Sequence, residues 1–300
     1  MHSPFYRGRF APSPTGPLHF GSLVAATCSY LDARASRGKW FVRIEDIDRS
    51  RCRPEYETAI LRALERYGFA WDGEIMRQSL RRAVYREAFE RLRDENRVYP
   101  CGCSRKEMAD SAIAPDGAGI YPGTCASGLP DGKAVRGWRL KTGGKALCFT
   151  DLVQGDMRQD VARDVGDFIV FRADEGVTYQ LAVVVDDAAQ GISRIVRGAD
   201  LLDSTPRQIA LQQCLGISSP EYAHFPVVLD EAGNKLSKQN KARALDAGNP
   251  VRDLVDAFAF LGLAWADAIY ASLDELWQNA IARWSLQLVP KVRTRPWVGA

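Results

Sequence analysis

The sequence lacks any apolar run approaching the length of a membrane span. Its opening residues, MHSPFYRGRF, lack the apolar segment of a signal peptide. A cytoplasmic protein with no membrane partner is expected. Charge of one sign is also scarce: 40 Lys and Arg against 37 Asp and Glu leave +3, so only local charge can point to a partner. Neither a dinucleotide glycine fingerprint nor the glycine spacing of a Walker loop occurs, so hydride transfer and P-loop chemistry have no support. Internal repeats and low-complexity tracts are missing too. The seven cysteines are an odd number in a long chain, which disfavours a disulfide framework. Any cysteine cluster is therefore read as metal-binding before disulfide.

What is present suits a soluble α/β protein. With 300 residues and 46% apolar content, the chain can bury a sizeable core. Residues 6–11 read as a strand. From Gly21, Leu23, Ala26, Thr27, Tyr30 and Leu31 follow helical spacing, with Gly38 as a stop signal. WFVRI (40–44) reads as a buried strand, so the start of the chain is a βαβ crossover in a parallel sheet. Ligands in such sheets bind beyond the carboxyl ends of the strands. The loop after the first strand and the pair Glu45-Asp46 after the second should face one crevice. Helices are expected over 54–67 and 79–96, and residues 77–97 carry seven arginines. Strands are expected at DFIVF (167–171), YQLAVVV (179–185) and FPVVL (225–229), a helix at 205–215, and helical pattern over 251–288.

Two segments carry chemistry. RFAPSPTGPLHFGS (9–22) places three prolines and two glycines around His19, just before a helix. Proline stiffens such a loop, and glycine lets it approach a ligand closely. A histidine at a helix start can donate to a phosphate. NKLSKQN (234–240) sets Lys235 and Lys238 after a glycine turn, and lysine serves phosphates as a mobile point charge. Either segment alone could be a structural or solvated loop; together they could clamp a triphosphate from two sides.

PLHFGS and KLSKQ resemble the HIGH and KMSKS signatures of class I aminoacyl-tRNA synthetases. RFAPSPTGPLHFGS and VRIEDIDRSR resemble the glutamyl/glutaminyl branch, in consistent order over residues 5–245. YQLAVVVDDAAQGISRIVRGADLLDSTPRQ (179–208) is similar to a short paralogue family, the glutamyl-Q tRNA(Asp) synthetases. Ala199 and Leu201 stand where ordinary members usually carry an acid and a histidine. The resemblance implies a Rossmann-like parallel-sheet catalytic domain, an inserted zinc module, a C-terminal helical region and no anticodon-binding domain. The expected partition is 1–99 and 167–240 as two halves of the catalytic domain, 100–166 as the module, and 241–300 as the helical region.

The implied reaction is tRNA-independent activation of L-glutamate by ATP, accompanied by Mg²⁺, and transfer of glutamate to queuosine in the anticodon of tRNA(Asp). The family pattern puts His19 and Lys238 in the catalytic role, with Gly21 and Lys235 also at ATP. For glutamate it implies Arg9 at the side-chain carboxylate, Arg197 also in the amino-acid pocket, Glu45 at the ammonium, the Tyr179 hydroxyl, and the loop Phe10, Ala11, Pro12 and Ser13. Asp186 and Asp187 are read as shaping this pocket rather than holding a metal. Cys101, Cys103 and Cys125 could hold Zn²⁺ or simply pack. The resemblance adds Tyr121 as fourth ligand, in a structural site. Cys28, Cys52, Cys148 and Cys214 read as core. Arginines of 77–97, with Lys241 and Arg243, are candidate tRNA phosphate contacts, and a monomer is expected. Two other readings stay open: a shortened glutamyl-tRNA synthetase charging a 3′ end, and a catalytically silent tRNA-binding module.

Overall fold

The computed structural model describes residues 5–104, 106–108, 113, 117, 119–144, 146–174, 176–236, 245, 249–263 and 272–297. Its first strand β1 (Arg7–Phe10) leads through the proline loop into α1 (Phe20–Ala35) and back to β2 (Lys39–Ile44), paired parallel to β1. After α2 (Pro54–Arg66), the short β3 (Met76–Arg77) extends this parallel sheet. The opening βαβ unit is thus present as expected. The stop of α1 is placed differently: the left-handed residue is Arg37 (φ 52°), not Gly38. Glycine is needed at 38 for closeness, because a Cβ there would lie 2.6 Å from the Tyr6 carbonyl oxygen.

Next come α3 (Arg82–Asp94), β4 (Val98–Cys101), β5 (Gly137–Leu140), β6 (Leu147–Asp151), β7 (Gly155–Gln159), α4 (Val161–Asp164), β8 (Ile169–Arg172) and β9 (Gly176–Val177). Strands β4-β5-β8-β9 form an antiparallel sheet. The chain continues with α5 (Tyr179–Ala189), β10 (Arg194–Gly198), α6 (Thr205–Cys214), β11 (Glu221–Phe225), β12 (Val227–Leu229), α7 (Pro250–Phe260), α8 (Leu273–Arg283) and β13 (Thr294–Pro296).

β10 and β11 pair parallel, and β11 takes the β6–β7 hairpin on its other side. Just before β10, the Ser193 N–H donates to the Arg7 carbonyl at 3.0 Å, which sets β10 beside β1. The order runs β3-β2-β1 and then β10-β11-β6. One direction of winding ends at β1 and the other begins at β10, so a ligand crevice opens beyond their carboxyl ends. The large core lies behind this crevice, with α1, α7 and α8 packing on the Trp40 side of the sheet; Trp40, Phe258 and Phe260 are each fully buried.

Several sequence expectations are corrected. YQLAVVV is the helix α5, not a strand, so Tyr179 opens a helix. Residues 181–187 are buried all round, and a short apolar run has no period by which to tell a core helix from a core strand. FPVVL is broken at Pro226, with Phe225 ending β11 and β12 pairing parallel to β13. The β6–β7 hairpin was not anticipated. Cys148 lies on its open face and is exposed, whereas Cys28 is fully buried and Cys52 and Cys214 are half-buried. Among the described residues, no helix is long and apolar enough to cross a membrane.

Candidate active site and metal centre

A cavity of about 680 Å³ opens at the junction of β1 and β10. The loop Arg9–Ser13, Glu45, Tyr179 and Arg197 line it, and so do His19, Gly21 and Lys235. Residues expected to serve glutamate and ATP therefore meet in one space. Phe10 enters with its backbone; its ring belongs to the core and stacks on Trp40. The Pro12 carbonyl accepts the Glu45 N–H at 3.0 Å, tying the loop to the end of β2. Asp46 does not join Glu45 in the crevice. Its carboxylate instead takes the N–H and hydroxyl of Ser79, at the start of the helical segment preceding α3.

His19 is the N-cap of α1, where its Nδ1 accepts the Ser22 N–H. A neutral ring so bonded carries its proton on Nε2, leaving that atom as a donor beside the positive end of the helix. Gly21 keeps this corner tight: a Cβ would stand 3.2 Å from the His19 ring and 3.4 Å from the Leu236 carbonyl oxygen. The start and the late basic loop thus adjoin across Gly21. Lys235 in that loop pairs with Asp200 at 2.6 Å. Lys238, Gln239, Lys241 and Arg243 lie outside the described residues.

Beneath the amino-acid end is a buried ion network. The Asp187 carboxylate on α5 accepts from Arg9 Nε at 2.9 Å and Arg43 Nη1 at 2.7 Å. Arg43 also donates to Gln190 Oε1 at 2.8 Å and to Glu45 at 3.2 Å. Burial would raise the Asp187 carboxyl, but Arg43 and Arg9 outweigh it and hold it below its ordinary value. At Glu45 burial wins and the carboxyl is pushed up, with Arg43 and Arg9 pulling against it. An arriving ammonium would supply positive charge where Glu45 is short of it. Burial, followed by Glu45, raises the Tyr179 hydroxyl, so it stays a donor. Asp186 points the other way, accepting from Gln78, Arg81 and Tyr85. Both aspartates are spent on side chains, which agrees with a shaping role.

Sequence reasoning missed Arg43, Asp151 and His224. His224 is fully buried on β11, opposite Arg197 in the parallel register. Its Nε2 accepts from Arg197 Nε at 2.9 Å, so Nδ1 carries the proton and donates to Asp151 Oδ2 at 2.6 Å. Burial, against the Asp151 hydrogen bond and with help from the Arg197 charge, brings the imidazole down to about 4. The unfolded chain takes up this proton below about pH 6.5, and the folded chain resists until about pH 4. Stability is therefore expected to fall between those values as pH drops, by up to about 3 kcal/mol. Urea midpoints across pH 7 to 4 check this, and His224→Gln should remove that slope.

A second cavity, of about 850 Å³, shares Ser13, Glu45, Arg51 and Tyr179 with the first and adds Arg49, Arg82 and Arg172. The basic stretch 77–97 is only partly available to such a surface. Arg77 pairs with Glu57, Arg81 with buried Asp186, and Arg91 with Glu95.

Away from both cavities, Cys101, Cys103 and Cys125 bring their sulfurs within 4.8 Å of one another. The Tyr121 oxygen is 3.7 Å from Cys101 Sγ and 3.9 Å from Cys103 Sγ, and Cys103 and Cys125 are 3.7 Å apart. A zinc tetrahedron with bonds of about 2.3 Å has edges of about 3.8 Å, which these three separations match. The Cys125 N–H donates to the Tyr121 oxygen at 2.7 Å, and the Arg139 guanidinium lies 3.5 Å over the Tyr121 ring. Arg139 Nε also reaches Cys101 Sγ at 3.2 Å; against burial, this bond helps bring the thiol down to about 7.

The parallel sheet wound from β1 and β10, with a histidine-capped first helix and a lysine loop at one cavity, is a class I aminoacyl-tRNA synthetase catalytic domain. A family model described as "tRNA synthetases class I (E and Q), catalytic domain" matches residues 6–119 and 128–264. Among curated proteins, the glutamyl-Q tRNA(Asp) synthetases of Aromatoleum aromaticum and Dechloromonas aromatica are 54% and 52% identical. The alignments cover 96% and 97% of this chain, and 92% and 97% of those proteins. The chain belongs to the glutamyl-Q tRNA(Asp) synthetase family. It is also similar to a solved glutamate tRNA ligase from Elizabethkingia meningosepticum in complex with its amino acid. That likeness has a TM-score of 0.80 at 26% identity, over 98% of this chain and 67% of that one.

Proposed function

We propose that the protein activates L-glutamate with ATP to glutamyl-adenylate without tRNA, then transfers glutamate to queuosine in the anticodon of tRNA(Asp). One observation carries this reading: buried Arg9 and Arg197 and half-buried Glu45 share a cavity with His19, Gly21 and Lys235. In the first step a substrate carboxylate oxygen attacks the ATP α-phosphorus and pyrophosphate leaves. Positioning and charge stabilisation do most of such work.

Arg197 supplies the main guanidinium for the substrate side chain, because its Nη1 is buried without a hydrogen-bond partner. Arg9, already neutralised by Asp187, sets the pocket wall. Glu45 takes the ammonium, and Tyr179 donates its hydroxyl. His19 Nε2 and Lys235 attend the phosphates, with Lys238 in the same loop segment and Mg²⁺ accompanying ATP. The second cavity, lined in part by Arg49, Arg82 and Arg172, suits a phosphate-bearing acceptor nucleotide next to the adenylate. Zn²⁺ held by Cys101, Cys103, Cys125 and Tyr121 would supply structural cross-linking of the module, with no part in the chemistry.

Radiolabelled glutamate, ATP and a panel of tRNAs with and without queuosine test the reading. Label on queuosine-bearing tRNA(Asp) alone is the expected result. Label at 3′ ends would make the chain a shortened glutamyl-tRNA synthetase. Lack of glutamate-dependent ATP–pyrophosphate exchange, with or without tRNA, would make it a silent binding module.

A further inference from the structure

Arg197 differs from the other buried arginines of the site. Arg9 and Arg43 both rest on Asp187, whereas Arg197 has no carboxylate among its hydrogen-bond partners. Its Nε donates to His224 Nε2 at 2.9 Å and its Nη2 to Thr205 Oγ1 at 2.8 Å, and Nη1 is left without a partner. All the groups that fix it are neutral acceptors. A carboxylate at the same place would hold the guanidinium as firmly but cancel the charge that an acidic substrate needs.

Neutrality at His224 is itself enforced. Arg197 Nε can only donate, so it requires a lone pair on Nε2. Asp151 accepts the Nδ1 proton and so selects that tautomer. Asp151 is fixed in turn: one oxygen accepts the N–H groups of Val153, Gln154 and His224. It does not line the cavity. This explains why the unanticipated β6–β7 hairpin is stitched to β11.

We infer that His224 and Asp151 are positioning residues for glutamate selection: Asp151 locks His224 as an uncharged acceptor, which aims Arg197 into the amino-acid cavity with its charge uncompensated. This rests on the glutamate-activation reading. It adds a claim that reading does not make, namely that the acceptor behind Arg197 must be neutral.

The test compares His224→Gln, His224→Glu, His224→Phe and Asp151→Asn in glutamate-dependent ATP–pyrophosphate exchange, with the glutamate-induced rise in Tm as a second readout. Gln keeps a neutral acceptor and should hold KM for glutamate within about fivefold of wild type. Glu keeps an acceptor but neutralises Arg197, and Phe removes the acceptor. Both should raise KM for glutamate about thirtyfold or more and abolish the Tm rise, with KM for ATP moving less than about twofold. Asp151→Asn can donate to Nδ1 and present a proton to Arg197, so it should raise KM for glutamate about tenfold. If Glu or Phe at 224 fails to fold, Gln at 224 and Asn at 151 decide alone.

Equal KM values for the Gln and Glu variants would overturn the inference. So would parallel rises in both substrates' KM, or a folded Asp151→Asn variant with unchanged glutamate KM. Wild-type protein that shows no glutamate dependence would instead sink the underlying reading.

Discussion

Asp187→Ala is expected to lower stability by about 3–5 kcal/mol, the usual cost of breaking a buried ion pair from one side. The carboxylate is 4% exposed and serves two guanidiniums, Arg9 at 4% and Arg43 at 0%. Its removal would leave Arg43 with Glu45 and Gln190, and Arg9 with no partner of comparable strength; Arg43, fully buried and outside the cavity lining, would keep its charge away from water. Asp186 on the same helix makes a control. It is as deeply buried, but its ionic partner Arg81 is 21% exposed and can be resolvated in place. Asp186→Ala should therefore cost less, despite losing three hydrogen bonds. Urea unfolding at pH 7.5 measures both. The Asp187 contribution is present above the ordinary aspartate pKa and is lost as pH falls through its depressed folded value, so the wild-type advantage should shrink in acid. An Asp187→Ala midpoint equal to wild type would refute the ion network as the support of the site. Arg43→Ala in the Asp187→Ala background should cost far less than Arg43→Ala alone, since each single change strands the other's charge.

The parts of this site that were legible in the sequence are those where one short segment does the work. The proline-stiffened loop, the histidine before α1 and the acid ending β2 each announce themselves by local chemistry and by a clear βαβ period. Arg9 and Arg197, and the ammonium-binding role of Glu45, needed the family resemblance, since an arginine on a strand is usually just a surface residue. What stayed hidden is the layer behind them. Arg43 sits inside WFVRI, where the apolar run reads as core and masks a fully buried cation. His224 and Asp151 are 73 residues apart and meet only because β11 takes the β6–β7 hairpin on its free edge. Tyr179 lines the cavity, but from the start of α5 and not from the expected strand. Seven consecutive buried residues erase the period that separates a helix from a strand, which is why the element was misread.

Cys125→Ser is expected to remove zinc and melt the connection between β4 and β5 while the parallel sheet stays folded. Its own buried cluster is small: Tyr99, Cys101, Tyr121 and Cys125, three of which are the proposed ligands. Burying so little apolar surface cannot offset the ordering of the 101–136 connection, at about 1–2 kcal/mol per residue for the backbone alone. Structural zinc in small domains contributes apparent binding energies of about 10–16 kcal/mol at neutral pH, enough to tip that balance. Purified protein should carry one zinc per chain by elemental analysis, and Cys125→Ser or Cys101→Ser should carry less than a tenth of that. Limited proteolysis should then cut within 102–135 before any site in β1, β2 or β10. Tyr121→Phe isolates the fourth ligand. It keeps the ring under Arg139 but removes the oxygen that accepts the Cys125 N–H, so zinc should be lost to a competing chelator about ten- to a hundredfold more readily. The arginine decides how tenable that oxygen is. Three thiolates and a phenolate around a divalent ion leave two negative charges in a half-buried pocket, and Arg139 touches both the ring and Cys101 Sγ. Arg139→Ala should therefore weaken zinc retention though it ligates nothing, whereas Arg139→Lys restores charge without the stacked plane and should recover only part of it. Stoichiometric zinc in Cys125→Ser, or chelator resistance unchanged in Tyr121→Phe, would remove the tetrahedral assignment and return these residues to simple packing.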